Sequence, residues 1–250
     1  MNYINVINYG NKILKANKII KFNLDSELIL AEVLNYKREE LLINLEKKID
    51  IKKFKIFKRL VARRVKKEPI AYIFKHKDFW KYKFKVNQNV LIPRPETEII
   101  VEEALKLISP FSSKHILDIG TGSGCIILSV IKDRPKSYGT AIDICKKAIK
   151  IAKINAKMHH LENKIKFINI DVDKFNSDKY DFILSNPPYI NSIDYKRLDS
   201  SVKQFEPLIA LNAGNDGLSE IKKLILKSRK LLKKNGKLIF EIGNAQMFKV

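Results

Sequence analysis

The feature that most constrains this chain is a regular alternation of strand-like and helix-like segments after Ser113. Short apolar runs alternate with longer segments whose apolar residues recur at helical spacing. The predicted strands read HILDIG, GTAIDI, IKFINID, YDFILSN and KLIFEIG, and the predicted helices read SGCIILSVIKD, CKKAIKIAKINAKMH and GLSEIKKLILKSRKLLKKNG. Since this order joins parallel strands through helical crossovers, it predicts an α/β fold with a doubly wound, mostly parallel sheet.

The residues before this alternation show two other patterns. Helical spacing in DSELILAEVLNYK, REELLINLEKKI and IKKFKIFKRLVARRVKK predicts a small helical bundle, with Asp25 and Ser26 as helix caps and Pro69 as a stop. From Phe79 to Ile92 the apolar period changes to two, which predicts a β-hairpin turning around VNQN. A further helix is expected near Pro95. We therefore expect a helical domain over residues 1–75, a hairpin linker over 76–92 and the sheet domain over 93–250.

A glycine-rich loop, LDIGTGSGC, joins the first strand of the predicted sheet to its helix. Gly120, Gly122 and Gly124 let backbone amides approach a ligand closely, although an unliganded glycine turn is the structural alternative. Their spacing differs from the G-x-G-x-x-G of dinucleotide sites, which counts against NAD. Asp143 follows the loop by about 20 residues, the distance at which a carboxylate meets ribose hydroxyls. The pattern predicts a site for a ribose-bearing cofactor.

Two further carboxylates, Asp118 and Asp171, are predicted on or just past strand ends. Doubly wound sheets bind their ligands at that edge. Each carboxylate could instead cap a turn or pair with one of the many lysines. Together with Asp143 they predict an acidic mouth, which suits a cationic cofactor such as S-adenosylmethionine.

The segment SNPPY ends a predicted strand with residues that cannot extend a sheet. The side-chain oxygen of Asn186 and the carbonyl of Pro187 can each accept an N–H from a planar amide or base amino group. Pro188 restricts the backbone of residue 187, and Tyr189 offers a flat apolar face. A simple Pro-Pro turn would explain the prolines but not Asn186 and Tyr189 beside a cofactor-type loop. The segment predicts methyl transfer to such a nitrogen.

The chain is strongly basic, with 49 Lys and Arg against 27 Asp and Glu and a formal net charge of +22. Because lysine is spread along the whole chain, we interpret this charge as a solvated surface rather than a dedicated nucleic-acid face. No apolar run reaches the roughly 18 residues of a membrane span, and the first residues do not read as a signal peptide. Cys125 and Cys145 are interpreted as reduced thiols inside helices, which favours the cytoplasm.

Over nearly its whole length the sequence resembles the protein-(glutamine-N5) methyltransferases that act on peptide chain release factors. The resemblance rests on VLIPRPETE, LDIGTGSGC, AIDI, SNPPYI, FEPLIALNAGNDGL and LIFEIGNAQ. SNPPY alone is shared with adenine-N6 and other amino methyltransferases, and its combination with the other motifs is what is specific. The resemblance implies S-adenosylmethionine as cofactor and, as substrate, the glutamine of a Gly-Gly-Gln motif in class 1 release factors.

The resemblance also implies roles for individual residues. The loop from Gly120 to Gly124, with Thr121 and Ser123, would hold the methionine end of the cofactor, and Asp143 would bind its ribose. Asp171 or its neighbour Val172 would flank the adenine. Asn186, Pro187, Pro188 and Tyr189 would hold the substrate glutamine, with Asn186 also beside the cofactor. The N-terminal helices would dock the release factor.

Two departures from the family pattern stand out. Lys75 occupies a position where the family usually has glycine, and the chain ends soon after LIFEIGNAQ, where the family usually continues with a helix and two antiparallel strands. On the family pattern, the chain is either shortened or a piece of a longer one, and the missing strands are expected to leave an edge of the sheet exposed.

Two other functions compete with release factor methylation. A glutamine methyltransferase of a ribosomal protein would share the catalytic motif and differ in the N-terminal domain. A DNA or RNA amino methyltransferase would exploit the positive charge, but the chain shows no further target-recognition domain and no aromatic-basic stripe for base stacking. We expect a monomeric cytoplasmic enzyme without a metal ion or sequence-specific nucleic-acid binding.

Overall fold

The computed structural model describes residues 1–177, 179–244, 246–248 and 250. They form two compact units, one of residues 1–75 and 200–205 and the other of residues 76–199 and 206–250. Over the described residues, every helix is too short or too polar to cross a bilayer.

The first unit is helical. Its helices are α1 Tyr3–Ala16, α2 Phe22–Leu34, α3 Arg38–Leu42, α4 Ile51–Val65, α5 Ile70–Phe74 and, from the later segment, Ser200–Phe205. Asn2 caps α1 and Asp50 caps α4, each through a side-chain oxygen that accepts from first-turn amides. Apolar side chains of α1, α2 and α4 form its core.

Two sequence predictions for this unit need correction. Asp25 and Ser26 do not cap α2, because the helix begins at Phe22 and both side chains are buried within it. Asp25 instead pairs with Arg64, whose Nε lies 2.7 Å from Oδ2. Helix α3 is much shorter than REELLINLEKKI, since the side-chain amide of Asn44 donates to the Glu40 carbonyl at 2.7 Å and terminates the helix.

The second unit begins with an antiparallel hairpin of β1 His76–Phe79 and β2 Tyr82–Lys85. The predicted turn around VNQN is therefore wrong, because the chain turns at Trp80, which adopts φ +57°. Tertiary contacts hold Trp80 in this left-handed conformation. Its backbone N–H donates to Glu98 at 2.8 Å and its indole N–H to Asp133 at 3.0 Å.

The remaining elements of the second unit are a sheet and its flanking helices. After a 3₁₀ turn at Pro95–Thr97 they run, in chain order, α6 Glu98–Leu107, β3 His115–Ile119, α7 Cys125–Asp133, β4 Tyr138–Asp143, α8 Lys146–Met158, β5 Ile165–Asn169, a 3₁₀ turn Val172–Lys174, β6 Tyr180–Ser185, α9 Ser192–Arg197, a 3₁₀ turn Leu208–Ala210, α11 Ser219–Leu231 and β7 Leu232–Phe240, with α10 being the Ser200–Phe205 helix of the first unit. Cys145 precedes α8 rather than lying inside it.

The predicted parallel sheet is confirmed. Its strands lie in the order β5-β4-β3-β6-β7, and every neighbouring pair is parallel. Successive side chains of a strand point to opposite faces, so Ile116 and Leu117 enter two different cores. Helices α6 and α7 cover one core and α11 the other. Parallel strands buried on both faces explain the near-continuous apolar runs in the sequence.

The end of α11 differs from the sequence prediction, which extended the helix to Gly236. The helix ends at Leu231, and β7 begins at once, with a register shift between Leu232 and Lys237. Asn235 takes φ +65° within that shift. Asn-Gly is a strong turn former, which is consistent with the left-handed conformation of Asn235 and with the irregular pairing of β7 at that point.

Candidate active site

A cavity of about 340 Å³ opens at the carboxyl ends of β3, β4 and β6. Chain order reverses between β3 and β6, because the chain adds β4 and β5 on one side and then returns to the other. Such a switch point leaves a crevice where the loops diverge, and open α/β sheets bind their ligands there. The volume lies within the range of small-molecule and cofactor sites.

The glycine loop forms one wall of this cavity. Gly120 and Gly122 have φ of +72° and +55°, and a Cβ atom built on either one would meet no protein atom closer than 4.0 Å. The amides of Gly120 and Thr121 both donate to the Ile142 carbonyl at 3.0 Å, which ties the loop to β4. Thr121 and Ser123 also line the cavity. The two glycines therefore leave open space for a ligand.

Gly124 has a different role from the other two glycines. Its φ is +83°, and a Cβ there would lie 2.9 Å from Leu128 Cδ1 and 3.3 Å from Ala152 Cβ. Gly124 does not line the cavity. It allows the start of α7 to pack closely against α8.

Asp143 ends β4 and faces the cavity. Its two carboxylate oxygens accept from the amides of Gly122 at 2.9 Å and Cys145 at 2.8 Å. Burial raises the pKa of this carboxyl, although both hydrogen bonds oppose the shift. Each carboxylate oxygen has more than one acceptor position, so the side chain can hold the loop and still accept from hydroxyl groups of a ligand.

Asp118 lies behind the glycine loop and does not line the cavity. It is fully buried on β3 and accepts from the Thr121 hydroxyl at 2.6 Å. Burial, with a smaller contribution from the charge of Asp143, raises the pKa of Asp118 to about 7. The structure thus places Asp143 and Asp171 at the mouth, with Asp118 supporting the loop from inside.

Asp171 and Val172 both line the cavity, together with Ile144, Ala148 and Ile170. The Asp171 carboxylate accepts from the Asp173 amide at 2.9 Å and caps the 3₁₀ turn at Val172–Lys174. This wall is mostly apolar, which suits a planar ring. Asp171 and Val172, the two alternatives that the sequence left open for the residue flanking the adenine, therefore lie side by side on one wall.

The segment from Asn186 to Tyr189 leaves the end of β6. Ser185 anchors it, since its hydroxyl donates to the Ile119 carbonyl at 2.8 Å. Asn186, Pro187 and Pro188 line the cavity opposite the glycine loop. Tyr189 is half-buried outside the set of cavity-lining residues, and its carbonyl accepts from the Gln246 amide at 3.0 Å.

Thr97 and Glu241 contact this segment. The sequence did not reveal an individual role for either residue. Asn186 Nδ2 lies 2.9 Å from the Thr97 hydroxyl, which in turn lies 2.7 Å from Glu241 Oε2. The Tyr189 hydroxyl donates to Glu241 Oε1 at 2.9 Å. Burial, together with the charge of Glu241, raises the pKa of Tyr189 to about 12, so the phenol stays protonated. The only sequence signal was membership of both residues in IPRPETE and LIFEIGN.

A further wall depends on an ion pair between a buried carboxylate, Glu206, and the partly exposed Arg94. Glu206 accepts from the Ile92 amide at 3.1 Å and from Arg94 Nη2 at 2.6 Å, and its side chain is 1% exposed. Arg94 and Pro207 line the cavity beside it. The pair joins IPRPE to FEPLIAL, two segments that are far apart in sequence.

The described residues contain no group of three or more His, Cys, Asp or Glu side chains placed to hold a metal ion.

Family models match most of the chain. Residues 97–203 match the model described as Methyltransferase small domain, and residues 5–74 match the PrmC N-terminal domain. Among solved structures, the catalytic domain of hMettl16 in complex with the MAT2A 3'UTR hairpin 6 has a TM-score of 0.54 at 22% identity, over 66% of this chain and 63% of that one. At that identity the likeness shows the fold alone.

Curated relatives share more of the sequence. A release factor glutamine methyltransferase of Thermodesulfovibrio yellowstonii is 37% identical over 94% of this chain and 85% of its own length. One from Caulobacter vibrioides is 34% identical, with coverages of 90% and 78%. A bifunctional methyltransferase of Rickettsia prowazekii is 36% identical over 91% of this chain and 48% of its own length. The chain thus spans about half the length of the bifunctional relatives it matches.

Proposed function

The chain belongs to the family of release factor glutamine methyltransferases, and we propose that it methylates the side-chain amide nitrogen of the glutamine in the Gly-Gly-Gln motif of class 1 peptide chain release factors. One observation carries this proposal. A single cavity joins an open glycine loop to an asparagine whose amide nitrogen is held by Thr97 at 2.9 Å, which leaves the amide oxygen for an N–H donor.

The residues present fit S-adenosylmethionine, which when bound supplies an electrophilic methyl group on its sulfonium. Gly120 and Gly122 leave the space that a Cβ would otherwise enter. Asp143 retains acceptor positions for the ribose hydroxyls, and its carboxylate with that of Asp171 gives the mouth the negative charge that suits a cation. The apolar wall at Val172 would flank its adenine.

Asn186 and Pro187 supply the chemistry that an amide substrate needs. An amide nitrogen is a poor nucleophile because its lone pair is delocalised into the carbonyl. Asn186 Oδ1 and the Pro187 carbonyl accept its two N–H groups, hold the nitrogen and favour the geometry in which its lone pair faces the methyl donor. These bonds strengthen as the nitrogen becomes cationic, so they lower the barrier. The proton then leaves to water, without a side-chain base.

The proposed partner fits the other parts of the chain. The N-terminal helical unit docks the release factor, Pro188 restricts the backbone of residue 187, and Tyr189 supports the planar amide. We place the enzyme in the cytoplasm as a monomer that acts in translation termination and binds no specific nucleic-acid sequence.

Methyl transfer from labelled S-adenosylmethionine decides between substrates. Purified class 1 release factor, the same factor with its Gly-Gly-Gln glutamine changed to alanine, ribosomal proteins and DNA are assayed in parallel. We expect label only on the unaltered release factor. Label on ribosomal protein or on DNA instead, with none on the release factor, would replace the proposed substrate with one of the alternatives.

A further inference from the structure

The geometry points to Glu241 as a positioning residue that orients Asn186 through Thr97 and Tyr189 through its hydroxyl. Glu241 follows β7, Thr97 ends the 3₁₀ turn before α6, and Asn186 follows β6. Three segments far apart in sequence thus meet at one carboxylate. The inference rests on the proposed function, since it assigns the reading of the substrate amide to Asn186.

The chain of donors and acceptors permits one orientation of Asn186. An ionised carboxylate only accepts hydrogen bonds, so the Thr97 hydroxyl, 2.7 Å from Glu241 Oε2, must donate to it. A hydroxyl has one proton, so its oxygen can only accept from Asn186 at 2.9 Å. The group of Asn186 that faces Thr97 is therefore its NH₂, and its oxygen is left for the cavity.

Burial of Thr97 stabilises this orientation of the Asn186 amide. Thr97 is 2% exposed, so water does not offer its hydroxyl an alternative partner. The backbone N–H of Glu241 donates to the Ser185 carbonyl at 3.1 Å, which fixes the carboxylate beside the residue that precedes Asn186. A buried polar group without a partner is costly, so rotation of the Asn186 amide would break the whole chain of bonds.

The second oxygen of Glu241 holds Tyr189. The phenol donates to Oε1 at 2.9 Å and stays protonated through the physiological pH range, since its pKa is about 12. One carboxylate thus fixes both the amide that accepts from the substrate and the ring proposed to support it. A rotated Asn186 would present NH₂ to a substrate N–H, so the same device favours amide and amino substrates.

The test removes only the Thr97 hydroxyl. Thr97→Val keeps the side-chain shape, and Thr97→Ser keeps the hydroxyl as the matched control. With release factor as substrate, we expect Thr97→Val to lower kcat about tenfold, the factor that corresponds to ~1.4 kcal/mol of barrier. KM and the calorimetric affinity for S-adenosylmethionine should stay within a few-fold of wild type, and Thr97→Ser should retain near-parental kcat. Glu241→Gln should show a loss in the same direction, because its side chain has one acceptor oxygen in place of two.

A double-mutant cycle separates positioning from general disruption. If Thr97 acts through Asn186, adding Thr97→Val to Asn186→Ala should produce no further loss in single-turnover rate. Equal kcat for Thr97→Val and Thr97→Ser, or additive losses in the cycle, would overturn the inference about Glu241. The proposed function would still be upheld in that case if the wild-type chain methylates the release factor.

If the wild-type chain proves inactive towards release factor, the orientation of Asn186 can still be tested by a measurement that does not depend on activity. In the wild-type chain, the Asn186 side-chain NH₂ protons should show nuclear Overhauser contacts to the Thr97 methyl group and slow exchange with water. A solvent-exchanging NH₂ without those contacts would overturn the assigned orientation. An inactive wild type that retains them would count against the substrate proposal and leave the orientation of Asn186 upheld.

Discussion

At the residue scale, the proposed mechanism gives Asn186 two roles in one small side chain. Its amide nitrogen donates to the Thr97 hydroxyl at 2.9 Å, and the residue lines the cavity shared with the glycine loop. A side chain used in this way should matter for the chemical step more than for cofactor binding. The distinction can be measured.

Asn186→Ala should bind S-adenosylmethionine within a few-fold of wild type and transfer the methyl group roughly a hundred- to thousand-fold more slowly, the usual effect of losing one preorganised hydrogen-bond partner of a transition state. Calorimetry gives the affinity, and single-turnover assays with saturating cofactor and release factor give the rate. Near-parental turnover would contradict the mechanism, and a matching collapse of cofactor affinity would reassign Asn186 to cofactor binding.

A second residue-scale prediction concerns Asp118, whose pKa is raised to about 7 by burial, with a further contribution from Asp143. A carboxyl with a raised folded-state pKa contributes stability below its unfolded pKa and loses it as pH rises through the folded value. Wild-type stability should therefore fall between about pH 4 and pH 7 by at most about 4 kcal/mol from this group.

Asp118→Asn should remove this part of the pH dependence, since the amide oxygen can still accept from Thr121 and does not ionise. Urea unfolding of both chains at pH 5 and pH 8 provides the comparison. The free energy of unfolding of the wild type should fall more than that of the variant between the two pH values. Parallel changes in the two chains would show that Asp118 does not titrate in this range.

At the element scale, the glycine loop divides into a part that faces the cavity and a part that packs against helices. Gly120→Ala should weaken cofactor binding, because its Cβ would enter the cavity, with a backbone strain of about 1–2 kcal/mol at φ +72°. Gly124→Ala carries a comparable strain and also a clash with Leu128 at 2.9 Å. Its effect should be mainly on stability.

Thermal unfolding without ligand and calorimetry with S-adenosylmethionine separate the two effects. Gly120→Ala should lose more affinity than Gly124→Ala, and Gly124→Ala should lose more stability. The reverse ranking would mean that the ligand approaches the loop near Gly124.

The hairpin shows how tertiary contacts set a local structure. Alternating residues predicted two strands, but the turn lies at Trp80, which the sequence had assigned to a strand. Asp133 at the end of α7 accepts from Trp80, Lys81 and Tyr82. These contacts stabilise a left-handed tryptophan that no local preference favours.

At the scale of the whole molecule, the net charge of +22 should act on encounter rather than on chemistry. Raising the salt concentration should lower kcat/KM for an acidic or RNA-bound release factor and leave kcat nearly constant, because salt screens long-range attraction. Steady-state kinetics over a series of salt concentrations measures kcat/KM and kcat. Two different neutral salts, compared at the same ionic strength, serve as the control. Tight, sequence-dependent DNA binding at physiological salt would instead favour a nucleic-acid substrate.

The sequence by itself determined the sheet, and it predicted the edge of the sheet at which we propose the site. The alternation of short apolar runs with helical segments predicted β3, β4 and β6, and the loop at Gly120 and the Asn186 segment follow strands whose carboxyl ends share one edge in a parallel sheet. These inferences depend on periodicity and backbone limits, which are local properties of the chain.

Only the tertiary structure decided which residues support the site. Thr97, Glu241 and the Arg94–Glu206 pair meet their partners across separations of about 50 to 140 residues, and no spacing rule reports such contacts. The same holds for Asp118, which looked like a ligand-facing carboxylate and lies buried against Thr121. Burial and hydrogen-bond partners are set by the packing of distant segments, so a single sequence does not contain them in readable form.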